Sequence, residues 1–121
     1  MTTQQLATHY RELMNQRKFI EVQDTLYHED VICQEPEKAA SMGFPVTTSG
    51  LEAIKAKGIA RRAMIETSHS YICSEPIVAG EFFSVVLKQD VTFKGQPRLT
   101  LEEVGVFHVK DGKVVKEQFF Y

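Results

Sequence analysis

The chain has 121 residues, a formal net charge of −2 and a pI near 6.1. This length suits one domain, residues 1–121, and the charge excludes the basic surface that nucleic-acid binding requires. No apolar run approaches the roughly 18 residues of a membrane span, and residues 1–5 lack the features of a secretory signal, so we expect a cytoplasmic protein without nucleic-acid or membrane partners.

Two short helices are predicted at the start of the chain. Thr2 and Gln5 have the spacing of a capping box, in which each side chain bonds the backbone N–H of the other residue. The residues that follow repeat at helical spacing and form an apolar stripe of Leu6, Tyr10, Leu13 and Met14. A second, shorter stripe consists of Phe19, Val22 and Leu26. The chain therefore begins with two amphipathic helices.

A strand and a long loop are predicted next. Residues 30–35 are strand-like, and Pro36 ends the strand. Residues 36–49 show no clear hydrophobic period, yet they include Phe44 and other apolar side chains that need cover. Long loops of this kind are often lids. We therefore expect residues 36–49 to form an irregular flap.

A third helix is predicted after the flap. Ser49 and Glu52 have the spacing of a second capping box, and the helix is expected to run to about residue 65. The apolar pattern predicts an inner face of Leu51, Ile54, Gly58 and Ile65. The cations expected on the solvated face are Lys55, Arg61 and Arg62.

The rest of the chain reads as strands. One strand is predicted over 69–78, and three more are predicted over 82–93, 99–109 and 114–121. The last three are separated by turn sequences in which Gly and Asp tolerate a positive φ. The inward faces are expected to carry Phe83, Val85, Leu87, Phe107, Phe119 and Tyr121. Because a chain end frays unless it is paired, the apolar last strand is predicted inside the sheet or across a subunit boundary.

Helices at the front and antiparallel strands at the back predict an α+β fold. Three N-terminal helices then pack on one face of a strongly curved, mostly antiparallel sheet, because long strands coil. Such a sheet, closed by helices, leaves a cone-shaped interior that predicts a hydrophobic pocket. The outward residues of the strand over 82–93 mix polar and apolar types, which indicates a homodimer through the outer sheet face.

Neither cysteine nor histidine spacing indicates a metal or cofactor. Cys33 and Cys73 belong to no CxxC motif and are expected to be free, buried thiols. The four histidines form no HxH or i,i+4 pair, and no Gly-rich loop could hold a phosphate. We therefore predict no metal and no cofactor.

Three short motifs and the order of elements resemble a known superfamily. The motifs are residues 50–54 at the start of the third helix, Gly80-Glu81 between strands, and residues 106–115. Together they resemble the NTF2-like superfamily, whose fold is also called cystatin-like, and most closely SnoaL-like polyketide cyclases and ketosteroid-isomerase-like proteins. The resemblance covers the whole chain and implies a cone-shaped fold, a hydrophobic pocket and a homodimer. It selects no reaction, because such folds serve isomerases, cyclases, hydrolases and non-catalytic binders.

Two residues match catalytic positions of ketosteroid isomerases. In that family a carboxylate base follows the first strand just before a proline, and the acidic spacing of residues 29–36 places Glu35 there. The family also has a first-helix tyrosine that donates to the enolate oxygen, and Tyr10 lies at the matching place. From the residues alone, Glu35 is an exposed residue, a base or a ligand-orienting acceptor. Tyr10 is either that donor or a core tyrosine.

A third acidic residue of the family falls on Gly105 in this chain. Strand alternation places Glu103 on the same face as Phe107, so Glu103 is the candidate to replace that missing acid. If Glu103 is desolvated beside Glu35, one carboxyl holds its proton while the other ionises. The alternative is that Glu103 lies at a strand end and reaches water or an arginine.

The leading hypothesis is a protein that binds an apolar, oxygen-bearing small molecule and isomerises or cyclises it by proton transfer. The residues predicted to contact the ligand are Met14, Phe44, His69, Phe83, Val85, Phe107 and Phe119. His69 faces the pocket, as the resemblance suggests, or lies on the surface. Two other functions stay open: a non-catalytic ligand-binding or dimerisation module, whose cone is filled by its own aromatic residues, and a protein-binding adaptor.

Overall fold

The computed structural model describes residues 1–121 and contains three helices and one seven-stranded sheet. The helices are α1 (Thr3–Asn15), α2 (Phe19–Leu26) and α3 (Leu51–Ala63). The strands are β1 (Tyr27–Gln34), β2 (Thr47–Ser49), β3 (Ile65–Cys73), β4 (Ile77–Ala79), β5 (Phe82–Phe93), β6 (Leu99–Lys110) and β7 (Lys113–Phe120). Helices thus pack against a mostly antiparallel, curved sheet, which confirms the predicted α+β class. None of the helices is long and apolar enough to cross a membrane.

The strand order in the sheet is β2-β1-β7-β6-β5-β3. The short strand β4 also pairs with β5 but is not part of this order. Every pairing is antiparallel except that of β1 with β7, which is parallel. The last strand therefore lies inside the sheet, as predicted, between β1 and β6. Register shifts interrupt the β1–β7, β3–β5 and β6–β7 ladders, and such irregularities bend strands and increase twist.

The start of α1 confirms the predicted capping box. The backbone N–H of Gln5 donates to Thr2 Oγ1 (3.1 Å), and the N–H of Thr2 donates to Gln5 Oε1 (2.9 Å). The buried face of this helix consists of Leu6, Ala7, Tyr10, Leu13 and Met14. The capped helix therefore presents the predicted stripe to the sheet.

The second predicted capping box is wrong. Ser49 is the last residue of β2, where it pairs with Ile32, so its backbone belongs to the sheet. The residue that precedes α3 is Gly50, which has φ 95° and forms no side-chain cap. Its N–H donates to the carbonyl of Val31 (2.8 Å), which ties the helix start to β1. Only glycine readily takes this left-handed conformation.

Other boundaries also differ from the prediction. The first strand starts at Tyr27 rather than at residue 30, and the flap contains a 3-10 helix (Glu37–Met42) as well as β2. The strand predicted over 69–78 is two strands, β3 and β4, with Pro76 between them. Proline has no N–H to donate to a strand ladder, so Pro76 explains why the chain forms two strands here rather than one.

Aromatic side chains fill the space between α1 and the sheet. The rings of Phe83 and Phe107 are stacked with centroids 4.6 Å apart, and Tyr10 lies 5.6 Å from the first and 4.7 Å from the second. All three are at most 1% exposed. This half of the cone is therefore solid core rather than pocket.

Four depressions mark the surface, and the two described next are open to solvent. One, of about 400 Å³, is lined by residues 17–21 and Arg62. The other, of about 240 Å³, is lined by Val86, Phe120 and residues 102–104. Neither is the enclosed apolar pocket that the curvature of the sheet predicted.

Candidate active site

The carboxylate of Glu35 is buried where β1 ends. The residue is 3% exposed, and its N–H donates to the carbonyl of Val46 in the flap (2.7 Å). Glu35 is thus not the exposed strand-exit residue that one reading of the sequence allowed. A buried carboxylate requires compensating charge. It receives that charge from α3.

Two cations of α3 pair with Glu35. Arg61 Nη1 donates to Glu35 Oε1 (3.1 Å), and Lys57 Nζ lies 3.5 Å from the same oxygen. Residues four apart on a helix share one face, which is why both reach the same carboxylate. The guanidinium of Arg61 also lies over the ring of Phe44, 4.5 Å from its centroid. Arg61 therefore faces the site, and its predicted place on the solvated face of α3 is wrong.

A second buried carboxyl, Glu117 on β7, was not identified from the sequence. It is 4% exposed and accepts a hydrogen bond from the hydroxyl of Tyr27. Burial raises its pKa, although hydrogen bonds from Tyr27 and Cys33 oppose the rise. The signal was available, because period-two alternation puts Glu117 on the same face as Phe119 and Tyr121.

Lys57 links the two buried carboxyls. Its ammonium donates to Cys33 Sγ (3.2 Å), and the Cys33 thiol in turn neighbours Glu117. Burial raises the pKa of the Cys33 thiol, and the charge of Glu117 adds to the rise. Both cysteines are free and buried, as predicted. A continuous polar path therefore runs from Tyr27 through the core to Glu35.

Glu103 is half-buried on β6, and it forms no salt bridge. Val104 pairs with Phe120, so Glu103 lies beside Tyr121 at the end of the β6–β7 ladder. Burial raises the pKa of Glu103 to about 7, and the Glu35 carboxylate adds to the rise while Arg61 opposes it. Near neutral pH this carboxyl can therefore both release and accept a proton.

The chain has four tyrosines, and each has a raised pKa with burial as the main cause. The pKa of Tyr121 rises to about 12, and the charge of Glu35 contributes to that rise. Tyr10 is enclosed by aromatic rings in the core. Its pKa is raised by burial and further by the charges of neighbouring groups, Glu117 and Glu103 among them. Each of the four phenols thus lies close enough to at least one of the three carboxyls for its charge to raise the pKa of the phenol.

The other predicted ligand contacts fall into three groups. Met14, Phe83, Val85 and Phe107 are buried in the core. Phe44 and Phe119 are half-buried: Phe44 lies under the Arg61 guanidinium that pairs with Glu35, whereas Phe119 packs edge-on against Phe107 of the core. His69 is exposed on β3, where its Nε2 lies 2.9 Å from Thr92 Oγ1, so the fold does not bring it to the other residues.

Gly105 shows why the family's third acid has no counterpart at this position. A Cβ on this glycine would lie 2.8 Å from the ring of Phe107 and 3.2 Å from that of Phe119. Such distances are too short for a side chain unless the rings move. The two phenylalanines therefore occupy the space that an acid would need, and Glu103, two residues earlier, is the acid on this face of β6.

The site contains no metal-binding group, because no three His, Cys, Asp or Glu side chains lie together suitably for an ion. Its charged groups are three carboxyls and two cations, which come from three strands or their ends and from one helix. The unlike environments of Glu35 and Glu103 suit general acid–base chemistry.

The whole chain, residues 1–121, matches the family described as the SnoaL-like domain. A protein of Mesorhizobium loti, named as a candidate SnoaL-like polyketide cyclase, is 30% identical over 100% of both chains, with a TM-score of 0.91. An NTF2-like protein of unknown function from Burkholderia pseudomallei is 19% identical over 100% of this chain and 92% of its own, with a TM-score of 0.82. TerC, co-crystallised with polyporic acid, is 20% identical over 99% of this chain and 92% of its own, with a TM-score of 0.80. No curated protein matches the sequence.

Proposed function

The chain belongs to the SnoaL-like domain family and has the NTF2-like fold that its sequence predicted, and from this premise we propose that it acts on a small organic molecule. The molecule is mainly apolar and carries a carbonyl group. The reaction is an isomerisation or cyclisation in which a carboxyl moves a proton on the carbon beside that carbonyl. The names of two similar proteins, a candidate polyketide cyclase and a protein co-crystallised with polyporic acid, support this substrate class.

The observation that carries the proposal is the contrast between Glu35 and Glu103. Glu35 is buried and paired with two cations, whereas Glu103 is half-buried, forms no salt bridge and has a pKa raised to about 7. A proton carrier works best when its pKa lies near the working pH. We therefore give Glu103 the role of base, which the sequence had suggested for Glu35.

The remaining groups stabilise the charge that proton removal creates. As Glu103 takes the proton, negative charge develops on the carbonyl oxygen, and the cationic groups of Lys57 and Arg61 lie on the same side of the sheet. Preorganised charge of this kind lowers the barrier because it needs no rearrangement during the reaction. Glu103 then returns the proton to another carbon. Phe44 and Phe119 contact the apolar body of the substrate, and Tyr10 belongs to the floor beneath it.

Hydrogen–deuterium exchange tests the chemistry without knowledge of the natural substrate. We expect the protein to speed exchange of the protons beside the carbonyl of 2-tetralone in D₂O, measured by NMR. Glu103→Gln should remove most of that acceleration, since positioned acid–base groups contribute roughly 10²–10⁴-fold. The matched control is Glu102→Gln, because Glu102 is exposed and pairs with Lys88. Exchange at the buffer rate, or equal loss in both variants, contradicts the proposal.

A non-catalytic module is the second candidate function. It is favoured by the aromatic rings of Tyr10, Phe83 and Phe107, which fill the half of the cone beneath α1. Such a protein would still bind apolar molecules in the remaining half but would not exchange their protons. The 2-tetralone experiment separates the two, because binding with exchange at the buffer rate supports the module.

We also propose that two copies associate through the outer face of the sheet. Val86 pairs with Val104, and Val104 pairs with Phe120, so the three form one row across β5, β6 and β7. They are 43%, 41% and 49% exposed, respectively. A row of exposed apolar side chains at the centre of a sheet is a typical surface for a self-complementary contact.

A further inference from the structure

The larger surface depression, where α1, α2 and α3 meet, carries three cations. Arg17 and Lys18 join α1 to α2, and Arg62 belongs to the last turn of α3. None of the three forms a salt bridge. Glu21 is the single acid of the lining, so positive charge prevails there. The volume of about 400 Å³ lies in the range of small-molecule sites.

The guanidinium of Arg62 is held in place although no anion faces it. It lies over the ring of Phe19, 5.1 Å from the centroid, and its Nη1 would be 3.0 Å from a Cβ on Gly58. The glycine thus leaves the space beside which the guanidinium lies. Because glycine inside a helix is less stable than alanine, α3 gives up stability at the position that accommodates Arg62.

The neighbouring arginine shows what Arg62 lacks. Burial acts to lower the pKa of the Arg61 guanidinium, but the charge of Glu35 and the contact with Tyr121 outweigh it, and the pKa is raised. At Arg62 burial prevails, and the pKa is lowered. Arg62 has therefore lost part of its hydration without gaining an anionic partner. A bound anion would supply that partner.

The backbone places a second guanidinium at the same depression. Arg17 has a left-handed conformation with φ 59°. Its N–H donates to the carbonyl of Met14 (2.9 Å), and that of Lys18 donates to the carbonyl of Leu13 (3.0 Å), which is the Schellman pattern of a helix end. Glycine is the usual residue at this position, because a side chain is strained there. Strained residues of this kind cluster at functional sites.

We propose that this depression binds a small organic anion in which a carboxylate or phosphate group is attached to an apolar body. A guanidinium can donate two parallel hydrogen bonds to either group. The half-buried side chains of Phe19 and Ile20 offer the apolar body a surface. Neither Glu35 nor Glu103 lines this depression, so the inference stands apart from the proposed function.

The first experiment compares 2-naphthoate with 2-naphthamide, which has the same shape without the charge. Calorimetric titration should show tighter binding of 2-naphthoate to the wild-type protein. Arg62→Gln should weaken that binding about 10-fold, the loss of one charged hydrogen bond, and leave 2-naphthamide unaffected. Arg98→Gln is the matched control, because Arg98 is exposed and pairs with Asp90 on another part of the sheet. Equal weakening in both variants, or equal affinity of the two compounds for the wild-type protein, overturns the inference.

A second variant changes the affinity in the opposite direction. Glu21→Gln removes the acid of the lining and should tighten 2-naphthoate binding about 2- to 5-fold, the size expected for an exposed charge pair. Glu102→Gln removes the same charge from β6 and should change nothing. Both residues are exposed, so neither substitution endangers folding. An unchanged affinity in Glu21→Gln contradicts the proposed site even if Arg62→Gln fails to fold.

NMR locates the bound compound. Titration with 2-naphthoate should shift the amide signals of residues 17–21, and a parallel titration with 2-naphthyl phosphate identifies the preferred head group as the tighter of the two. Shifts confined to the surroundings of Glu35 and Glu103 overturn this inference and leave the proposed function standing. Shifts at residues 17–21 without exchange of 2-tetralone protons support this site and contradict the proposed function.

Discussion

The two halves of the interior differ in kind. Beneath α1, the rings of Tyr10, Phe83 and Phe107 fill the space with apolar contacts. Beneath α3, the same sheet carries buried carboxyls that are compensated by cations and phenols, Glu35 with Lys57 among them. The first half gains free energy by burial alone, whereas the second needs each charge to meet its partner. The comparison teaches that one sheet supports stability on one side and chemistry on the other.

The largest change in the free energy of unfolding is expected from a substitution in the apolar half of the interior. Phe107 is fully buried and contacts three aromatic rings, so Phe107→Ala should lower the free energy of unfolding by about 3–5 kcal/mol, measured by urea denaturation. Phe82→Ala is the control, because Phe82 is 49% exposed and stacks only on His108. If both substitutions have equal effects, the rings beneath α1 do not form the core.

The next largest effect is expected in the polar half. Lys57→Met should lower the free energy of unfolding by about 3 kcal/mol, because the buried carboxylate of Glu35 then depends on Arg61 alone. Lys55→Met serves as the comparison, since Lys55 pairs with the exposed Asp24 and its loss should be small. A small effect at both positions would mean that Glu35 needs no second cation.

The pH dependence of the free energy of unfolding tests whether the pKa of Glu103 is raised in the folded protein. Its folded pKa, about 7, lies above the ordinary value of 4.5, so the folded state holds the proton more tightly than the unfolded state. The contribution of Glu103 to stability is therefore present at low pH and lost as pH rises through about 7, a difference of about 3 kcal/mol.

Glu103→Gln should remove that dependence. The variant should gain stability relative to the wild-type protein between pH 4.5 and pH 8, as measured by urea denaturation at each pH. Glu117, whose pKa is also raised by burial, contributes with the same sign in both proteins. The difference in the free energy of unfolding between the variant and the wild-type protein, followed against pH, thus measures the titration of Glu103. A difference that stays constant with pH would contradict the raised pKa of Glu103.

The smallest effect on folding is expected outside the interior. Val104→Lys should change the stability of the single chain by less than about 0.5 kcal/mol, because Val104 is 41% exposed. It should nevertheless convert the proposed dimer to a monomer in sedimentation equilibrium, since the charge would be buried in the contact. Thr100→Lys, at an exposed position of the same strand outside the apolar row, is the control. A monomeric wild-type protein would contradict the proposed association.

Several local features were predictable from the sequence. The Thr2–Gln5 capping box and the bounds of β5 were predicted correctly, because cap spacing and strand alternation act over a few residues. The Ser49–Glu52 box had the same spacing but was wrong, since Ser49 pairs with Ile32 in the sheet. A local signal was therefore reliable only where no distant strand competed for the same backbone.

The candidate site was predictable only in part. Glu35 and Glu103 could be named from spacing and alternation, and Glu117 could have been found by alternation from Phe119. No local pattern distinguished Lys57 from an ordinary surface lysine, because a long charged side chain on a helix is usually solvated. Its partner lies on another element, and only the packing of α3 against the end of β1 reveals the pair.

The sequence by itself determined the three helices, the last three long strands with the turns between them, and the α+β class, because these depend on periodicity and on the residues at each turn. The tertiary structure alone decided which carboxyl is paired, which one carries a raised pKa and which half of the interior is solid. Those properties depend on distances between side chains far apart in the chain, and the strength of charge interactions and desolvation follows distance and burial rather than order in sequence.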